Sequence, residues 1–338
     1  METGSRTTCM VINETGWGNG VLELPFIMAI AKRFKRIVHT NSPFLESIGP
    51  GNFATQWERV EVDWTTNDDR DFHWLSDSIG KFHVQTVINL RNEDVGHDWC
   101  RFLESIRMTN FRIDFWDLLD QYTGPDPQIQ SRWTAMLYSH GLYPEWQEAY
   151  QMLSKYRSYS KEPTDVLICS GASREDKAVK ASVWSNVATA LLSAHPTLKI
   201  RLLNGTTDHD HACGTELARL LESKNAPFTA CSPTGIASLI SELSASAVVA
   251  SNDSYLMHLA YALRRPTLGL FSVTNKGVWG FQNSDIYLAR TSNACSICSG
   301  VMPTQGVCWQ QKACPTTPNL SWDPEDIARD ILYLLRQT

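Results

Sequence analysis

The stretch SNDSYLMHLAYALRRP, residues 251–266, lies between two short apolar runs, AVVAS before it and TLGLF after it. The apolar runs read as strands, and YLMHLAYAL reads as a helix between them. Ser254 stands where a helix N-cap belongs, so the N–H groups of the first turn point toward whatever Asp253 faces. A strand, a helix and a further strand in this order predict an α/β chain with largely parallel sheets. Ligands of such sheets bind beyond the carboxyl ends of the strands. Asp253 ends the first strand and is therefore predicted at the mouth of a cleft. His258 follows Ser254 by four residues and shares its helical face. A helix start facing a ligand also suits an anion.

The same alternation extends to both sides. TTCMVI, RIVHT, RVEVDW, TVINL and FRIDF are predicted strands of a first half, with VLELPFIMAIAKRF as its first helix. Lys32, Arg33 and Lys35 close that helix, where the macrodipole favours cations. QYTGPDPQIQ reads as a loop, PEWQEAYQMLSKY as a helix and RSYSKEPTD as a linker. DVLICS, KIRLL, FTAC, AVVAS, TLGLF and IYLA are predicted strands of a second half, separated by helices near SVWSNVATALLSA, GTELARLLES and TGIASLISELS. The final DPEDIARDILYLLRQ has Asp323 as N-cap and Pro324 at the first helical position. The predicted division is residues 1–155, 156–322 and a closing helix over 323–338.

Composition narrows the function. The chain has 338 residues, 43% hydrophobic and 20% charged, with a formal net charge of −6. The length predicts two domains, and the acidic balance argues against nucleic acid as a partner. No apolar run is long enough to span a bilayer, and the first residues lack a secretory pattern, so a cytoplasmic protein without a transmembrane segment is expected. Cys9, Cys100, Cys169, Cys213 and Cys231 are scattered and read as small buried residues. Cys295, Cys298, Cys308 and Cys314 form C-x2-C-x9-C-x5-C, a spacing that suits a structural zinc or iron held by four thiolates.

Four loops carry candidate sites. NETGWGNGVLELP, residues 13–25, holds Gly18 and Gly20, where a phosphate fits against backbone N–H groups or a tight turn passes close to a neighbour. It is not a dinucleotide fingerprint: the spacing is G-x-G-x-G, and the next strand ends in His39-Thr40-Asn41 without an acid for a ribose. CSGASREDKAVKASVW places Ser173, Lys177 and Lys180 beyond a strand, small residue and cations suited to a phosphate or to a solvated loop. LLNGTTDHDH places Asp208, His209 and Asp210 in the loop after another strand, where an acid can take two ribose hydroxyls. The fourth is the stretch at residue 251 itself, with Asn252, Asp253, Ser254, Tyr255 and His258.

Taken together these motifs resemble glycosyltransferase family 9, the heptosyltransferases. SNDSYLMHLAYALRRP is similar to the family's (S/T)-N-D-(S/T)-G-x-x-H-x-A-x-A-x-x-x-P block, TLGLFSVTNKGVWG to its V-x-x-L-F-G-x-T segment, and GNGVLELP to its G-D-x-x-x-x-L-P. The resemblance implies a GT-B fold, α/β with two Rossmann-like domains facing across a cleft, the donor in the second and the acceptor mainly against the first. It implies inverting transfer from a nucleoside diphosphate sugar, usually ADP-heptose, without a catalytic metal. A UDP- or GDP-sugar donor and a catalytically silent nucleotide-sugar-binding protein are the alternatives. The acceptor stays open: lipopolysaccharide core, a small natural product or a protein. Related autotransporter heptosyltransferases hold iron in a cysteine cluster of this region.

Carried over by position, Asp253 would contact sugar hydroxyls and Ser254 the diphosphate, with His258 in support. Lys177 or Lys180 would meet phosphate, Asp208 or Asp210 the ribose, and Thr274 would line the pocket. Three positions depart from the pattern. Tyr255 and Ser272 stand where the family has glycine. Asn19 stands where it has its aspartate base, and an amide cannot accept the acceptor's proton; either Glu14 or Glu23 replaces it, or the acceptor is a better nucleophile such as an amine, or the chain binds without transferring.

Overall fold

The computed structural model describes residues 8–12, 17–40, 42–49, 51, 55–60, 73–90, 114–116, 129–156, 165–172, 175–205, 208–272, 274, 276–281, 283–292 and 321–337. The chain divides into two compact units, Met1–Met152 and Leu153–Thr338. Each is built on its own parallel sheet.

In the first unit the strands are β1 (Thr8–Ile12), β2 (Arg36–His39), β3 (Gln56–Arg59), β4 (Thr86–Asn89) and β5 (Asp114–Trp116), in the order β3-β2-β1-β4-β5. β1 is central and completely buried, as the apolar run Cys9–Ile12 requires of a strand covered on both faces. Helices α1 (Trp17–Arg33), α2 (Pro43–Ile48), α3 (His73–Phe82), α4 (Ile129–Ser139) and α5 (Trp146–Gln151) connect and flank the sheet. α1 starts at Trp17 rather than at Val21, so Gly18, Asn19 and Gly20 form its first turn and not a loop before it. The third strand also lies earlier than RVEVDW implies; β3 is a partly exposed edge strand, whose apolar signal is weak, and residues 61–64 lie outside the described ones. The helix predicted over PEWQEAYQMLSKY tightens after Gln151 into a 3₁₀ turn, Met152–Tyr156.

In the second unit β6 (Asp165–Cys169), β7 (Lys199–Leu203), β8 (Thr229–Cys231), β9 (Val248–Asn252), β10 (Thr267–Phe271) and β11 (Tyr287–Thr291) run in the order β11-β10-β9-β6-β7-β8. Counted from β6, this is the doubly wound dinucleotide-type order, which reverses between β6 and β9. The helices are α6 (Ala181–Ala194), α7 (Asp208–Ser223), α8 (Ile236–Ser244), α9 (Tyr255–Ala262), α10 (Lys276–Trp279) and α11 (Pro324–Leu335). α7 starts six residues before GTELARLLES, so Asp208 and Asp210 are first-turn residues of a helix and not members of a loop. Two acids in a first turn are what the positive end of the helix dipole favours. Asp323 caps α11, its carboxylate accepting from the N–H groups of Glu325 at 2.9 Å and Asp326 at 3.4 Å. Ile327, Ala328, Ile331 and Leu334 of α11 join Trp184, Val187 and Leu191 of α6 and the inner residues of β6, β7, β9 and β10 in one core. The closing helix is thus part of the second unit's interior. No helix among the described residues is long and apolar enough to cross a membrane.

Candidate active site

The reversal of strand order between β6 and β9 opens a crevice at their carboxyl ends. Asn252, the last residue of β9, holds that crevice together. Its amide nitrogen donates to the carbonyls of Ser170 at 2.7 Å and Gly171 at 3.1 Å, just past β6. Its amide oxygen accepts from the N–H of Val179 at 3.3 Å. Asn252 is fully buried and these bonds engage its side chain, so it braces the crevice from beneath.

Asp253 follows. Its N–H donates to Leu270 at 2.9 Å, extending the ladder to β10 and fixing where the carboxylate stands. One oxygen, Oδ2, accepts from Thr274 Oγ1 at 2.6 Å and from Lys177 Nζ at 3.0 Å. The other, Oδ1, faces His258 Nε2 at 4.0 Å. Burial by itself would raise the Asp253 carboxyl; Lys177, His258 and the bonds from Thr274 and Lys177 outweigh it and hold the group below the usual carboxylate range. Burial pushes His258 down to about 4, against the pull of Asp253 and with the help of Lys177, so its ring is neutral at physiological pH. The ring packs edge-on against Phe281 at 5.6 Å. The cluster is therefore one buried carboxylate, one ammonium, one neutral imidazole and one hydroxyl, drawn from four segments of the chain.

The start of α9 borders this cluster. Ser254 occupies the N-cap position, yet its hydroxyl makes no capping bond; it pairs with Ser251 Oγ at 3.0 Å. An N-terminus without a side-chain cap is suited to an external anion. On the other side of the crevice, Asp210 is buried against Gly171 and Gly205, and a β-carbon on either glycine would collide with its carboxylate. Burial first, then the charges of Asp210 and Cys169, raises the Tyr255 phenol. Tyr255 and Asp210 therefore lie within electrostatic reach of each other and of Cys169 at the end of β6.

The structure separates the remaining candidates. Lys180 and Asp208 are exposed, so of each predicted pair it is Lys177 and Asp210 that reach the crevice. Ser173, Glu14 and the four clustered cysteines lie outside the described residues. Gly20 has a packing reason: a β-carbon there would sit 2.7 Å from Phe44 Cβ, so α1 needs the glycine to approach α2. Asn19 is half-buried on the first turn of α1 beside Gly18, and Glu23, one turn on, is fully buried. Among the described residues no three His, Cys, Asp or Glu side chains gather as a metal site. Residue patterns alone passed over Gly171, Gly205 and the role of Ser272, whose hydroxyl donates to the carbonyl of Lys177 at 2.8 Å. The small-residue run CSGAS was the available signal for the first of these.

The sequence model of glycosyltransferase family 9 (heptosyltransferase) matches residues 120–305, more than half of the chain and all of the crevice just described. Among solved structures, the chain is similar to a family 9 glycosyl transferase from Veillonella parvula, with 13% identity, a TM-score of 0.64, and 100% of this chain and 99% of that one covered. It is similar to ADP-heptose lipopolysaccharide heptosyltransferase II from E. coli, with 17% identity, a TM-score of 0.58, and 98% and 99% covered. The E. coli heptosyltransferase WaaC, solved with ADP, gives 14% identity, a TM-score of 0.57, and 85% and 93% covered. No curated protein matches.

Proposed function

The chain belongs to glycosyltransferase family 9 and has the GT-B fold, and from that premise we propose that its donor is a nucleoside diphosphate sugar, with ADP-heptose favoured, bound at the crevice between β6 and β9. The observation that carries the reading is the convergence of Lys177, Thr274 and His258 on the carboxylate of Asp253 beside an uncapped helix start. Asp253 offers Oδ1 to sugar hydroxyls, since Oδ2 is already engaged twice. The ammonium of Lys177 and the first turn of α9 after Ser254 receive the diphosphate, and Asp210 the ribose. Thr274 and His258 orient the carboxylate. The nucleotides bound in the structurally similar heptosyltransferase complexes, ADP and ADP-heptose, agree with an adenine nucleotide.

The reaction is an inverting displacement. An acceptor hydroxyl attacks the anomeric carbon, the bond to the diphosphate oxygen breaks, and the acceptor's proton leaves. Asn19 cannot take that proton, and Glu14 or Glu23 serves in its place. Glu23 is enclosed, so it acts only if the acceptor or a change of conformation reaches it. A general base contributes roughly 10²–10⁴ in rate against enzymatic accelerations of about 10⁶–10¹⁷. Support of the leaving diphosphate by Lys177 and α9 carries the larger share.

A thermal-shift panel with ADP, UDP, GDP, CDP and ADP-heptose tests the donor. Ligand at 100 times its dissociation constant adds about 2.7 kcal/mol of stability. The expected result is a selective shift with ADP-heptose that Asp253→Ala abolishes while its circular dichroism stays native. A shift with UDP or GDP alone reassigns the base, and none with any nucleotide overturns the site. With the donor known, transfer assays on Glu14→Gln, Glu23→Gln and Asn19→Asp assign the base; a donor-binding chain that shows no turnover over a range of acceptors, as wild type and as Asn19→Asp alike, is a silent binding protein.

A further inference from the structure

Lys177 reaches Asp253 from a short 3₁₀ turn, Glu175–Lys177, in the connection between β6 and α6. A lysine on a four-carbon stem is a mobile point charge, so what holds its backbone decides where the ammonium can go. Two side chains tie this turn to the strands. Asn252 receives the N–H of Val179 at 3.3 Å, and Ser272, directly after β10, donates its hydroxyl to the carbonyl of Lys177 at 2.8 Å. Ser272 is buried, with 6% of its surface exposed, and its one hydroxyl hydrogen is committed to that carbonyl. The bond joins residues 95 positions apart. It acts on the residue whose ammonium shares Asp253 Oδ2 with Thr274, two positions beyond Ser272.

We infer that Ser272 is a positioning residue for donor binding: it fixes the backbone of Lys177 so that the ammonium is held over Asp253 at the site of the diphosphate. The inference rests on the donor reading above and adds to it a residue that touches neither phosphate nor sugar. The end of β10 thereby serves the site twice, once through Thr274 on the carboxylate and once through Ser272 on the lysine. Glycine at this position, as in the family segment, has no hydroxyl to give.

A double-mutant cycle on the full chain tests it, with ADP affinity read by titration calorimetry and the unfolding midpoint read alongside. Ser272→Ala is expected to weaken ADP about tenfold, the size of one lost hydrogen bond. Ser272→Thr, which keeps the hydroxyl, is expected to stay within about threefold of wild type. In a Lys177→Met background the same Ser272→Ala change is expected to cost less than about twofold, because coupled residues are not additive. Equal losses in both backgrounds would assign Ser272 to general packing and overturn the inference, as would a folded Ser272→Ala protein that binds ADP like wild type. Wild type that binds no nucleoside diphosphate is a different result, which removes the donor reading itself.

Discussion

Asn252 shows how one side chain can matter more to a site than those that would touch a ligand. Its amide bridges two carbonyls beyond β6 and one N–H before α6. Asn252→Asp keeps the shape and the acceptor but sets a carboxylate against two carbonyl oxygens. A buried group left without its partner costs about 1–3 kcal/mol, more when charged, so the second unit should lose at least that much by urea denaturation. His258 and His39 make a pH prediction. Burial holds both near 4; at His39 the Thr40 carbonyl opposes it and Arg59 adds to it. In the unfolded chain a histidine titrates near 6.5. Between pH 6.5 and 4 the unfolded state therefore binds a proton at each that the folded state does not. Stability present above pH 6.5 falls on acidification, by about 1.4 kcal/mol per pH unit for each ring. Asp253, lowered in the folded protein, adds a further loss only below the ordinary carboxylate range near 3.9. Urea midpoints measured across this range should show His258→Gln flattening the slope by one proton. Asp253 and His258 were legible in sequence because a polar pair interrupts an apolar run at a strand end. Ser272 was visible only as an oddity in a motif, since its partner lies 95 residues away.

At the scale of elements, the inner strands of the second unit, β6, β9 and β10, were legible because buried parallel strands are short, mainly apolar runs. The start of α7 was not: DHDHAC has no apolar period, and the helix begins there through its acids and not through burial. That difference shapes the crevice, since it turns Asp210 inward over Gly171 and Gly205 and leaves Asp208 in solvent. Gly171→Ala and Gly205→Ala should each displace the Asp210 carboxylate. The expected cost is about 1–3 kcal/mol of overpacking together with lost nucleotide binding, readable in one thermal-shift series. α11 makes the opposite case, an element whose strongly amphipathic sequence declares itself. Arg290 on β11 is bonded to Asp326 and Asp330 of α11, and the helix covers the shared core. A chain ending at residue 322 should expose that core and fail to give a cooperative transition for the second unit.

For the whole molecule, two sheets of the same handed order were predicted only as a class; which strand neighbours which follows from pairing across the fold, and no local pattern states it. The family match covers residues 120–305, so the second unit and the end of the first match the family by sequence, while the segment carrying Asn19 lies before the match and shares only its fold with solved family 9 structures. The four clustered cysteines add a question of metal content. Elemental analysis of protein purified without added metal should find about one zinc or iron per chain, lost in Cys295→Ser with Cys298→Ser; its absence in wild type would leave them as reduced thiols. The sheet order has a consequence in time. β6 pairs with β7 on one side, but its other partner, β9, arrives much later: Asn252 is 82 residues beyond the Ser170 carbonyl it closes upon. At about 5–20 residues per second of synthesis, the growing chain holds a bare edge of β6, apolar from Val166 to Cys169, for about 4 to 16 s. Such edges recruit other strands. The seam between β6 and β9 is thus the pairing of its sheet that waits longest for its second strand, and during synthesis it is the place where this chain is most open to pairing with the wrong neighbour.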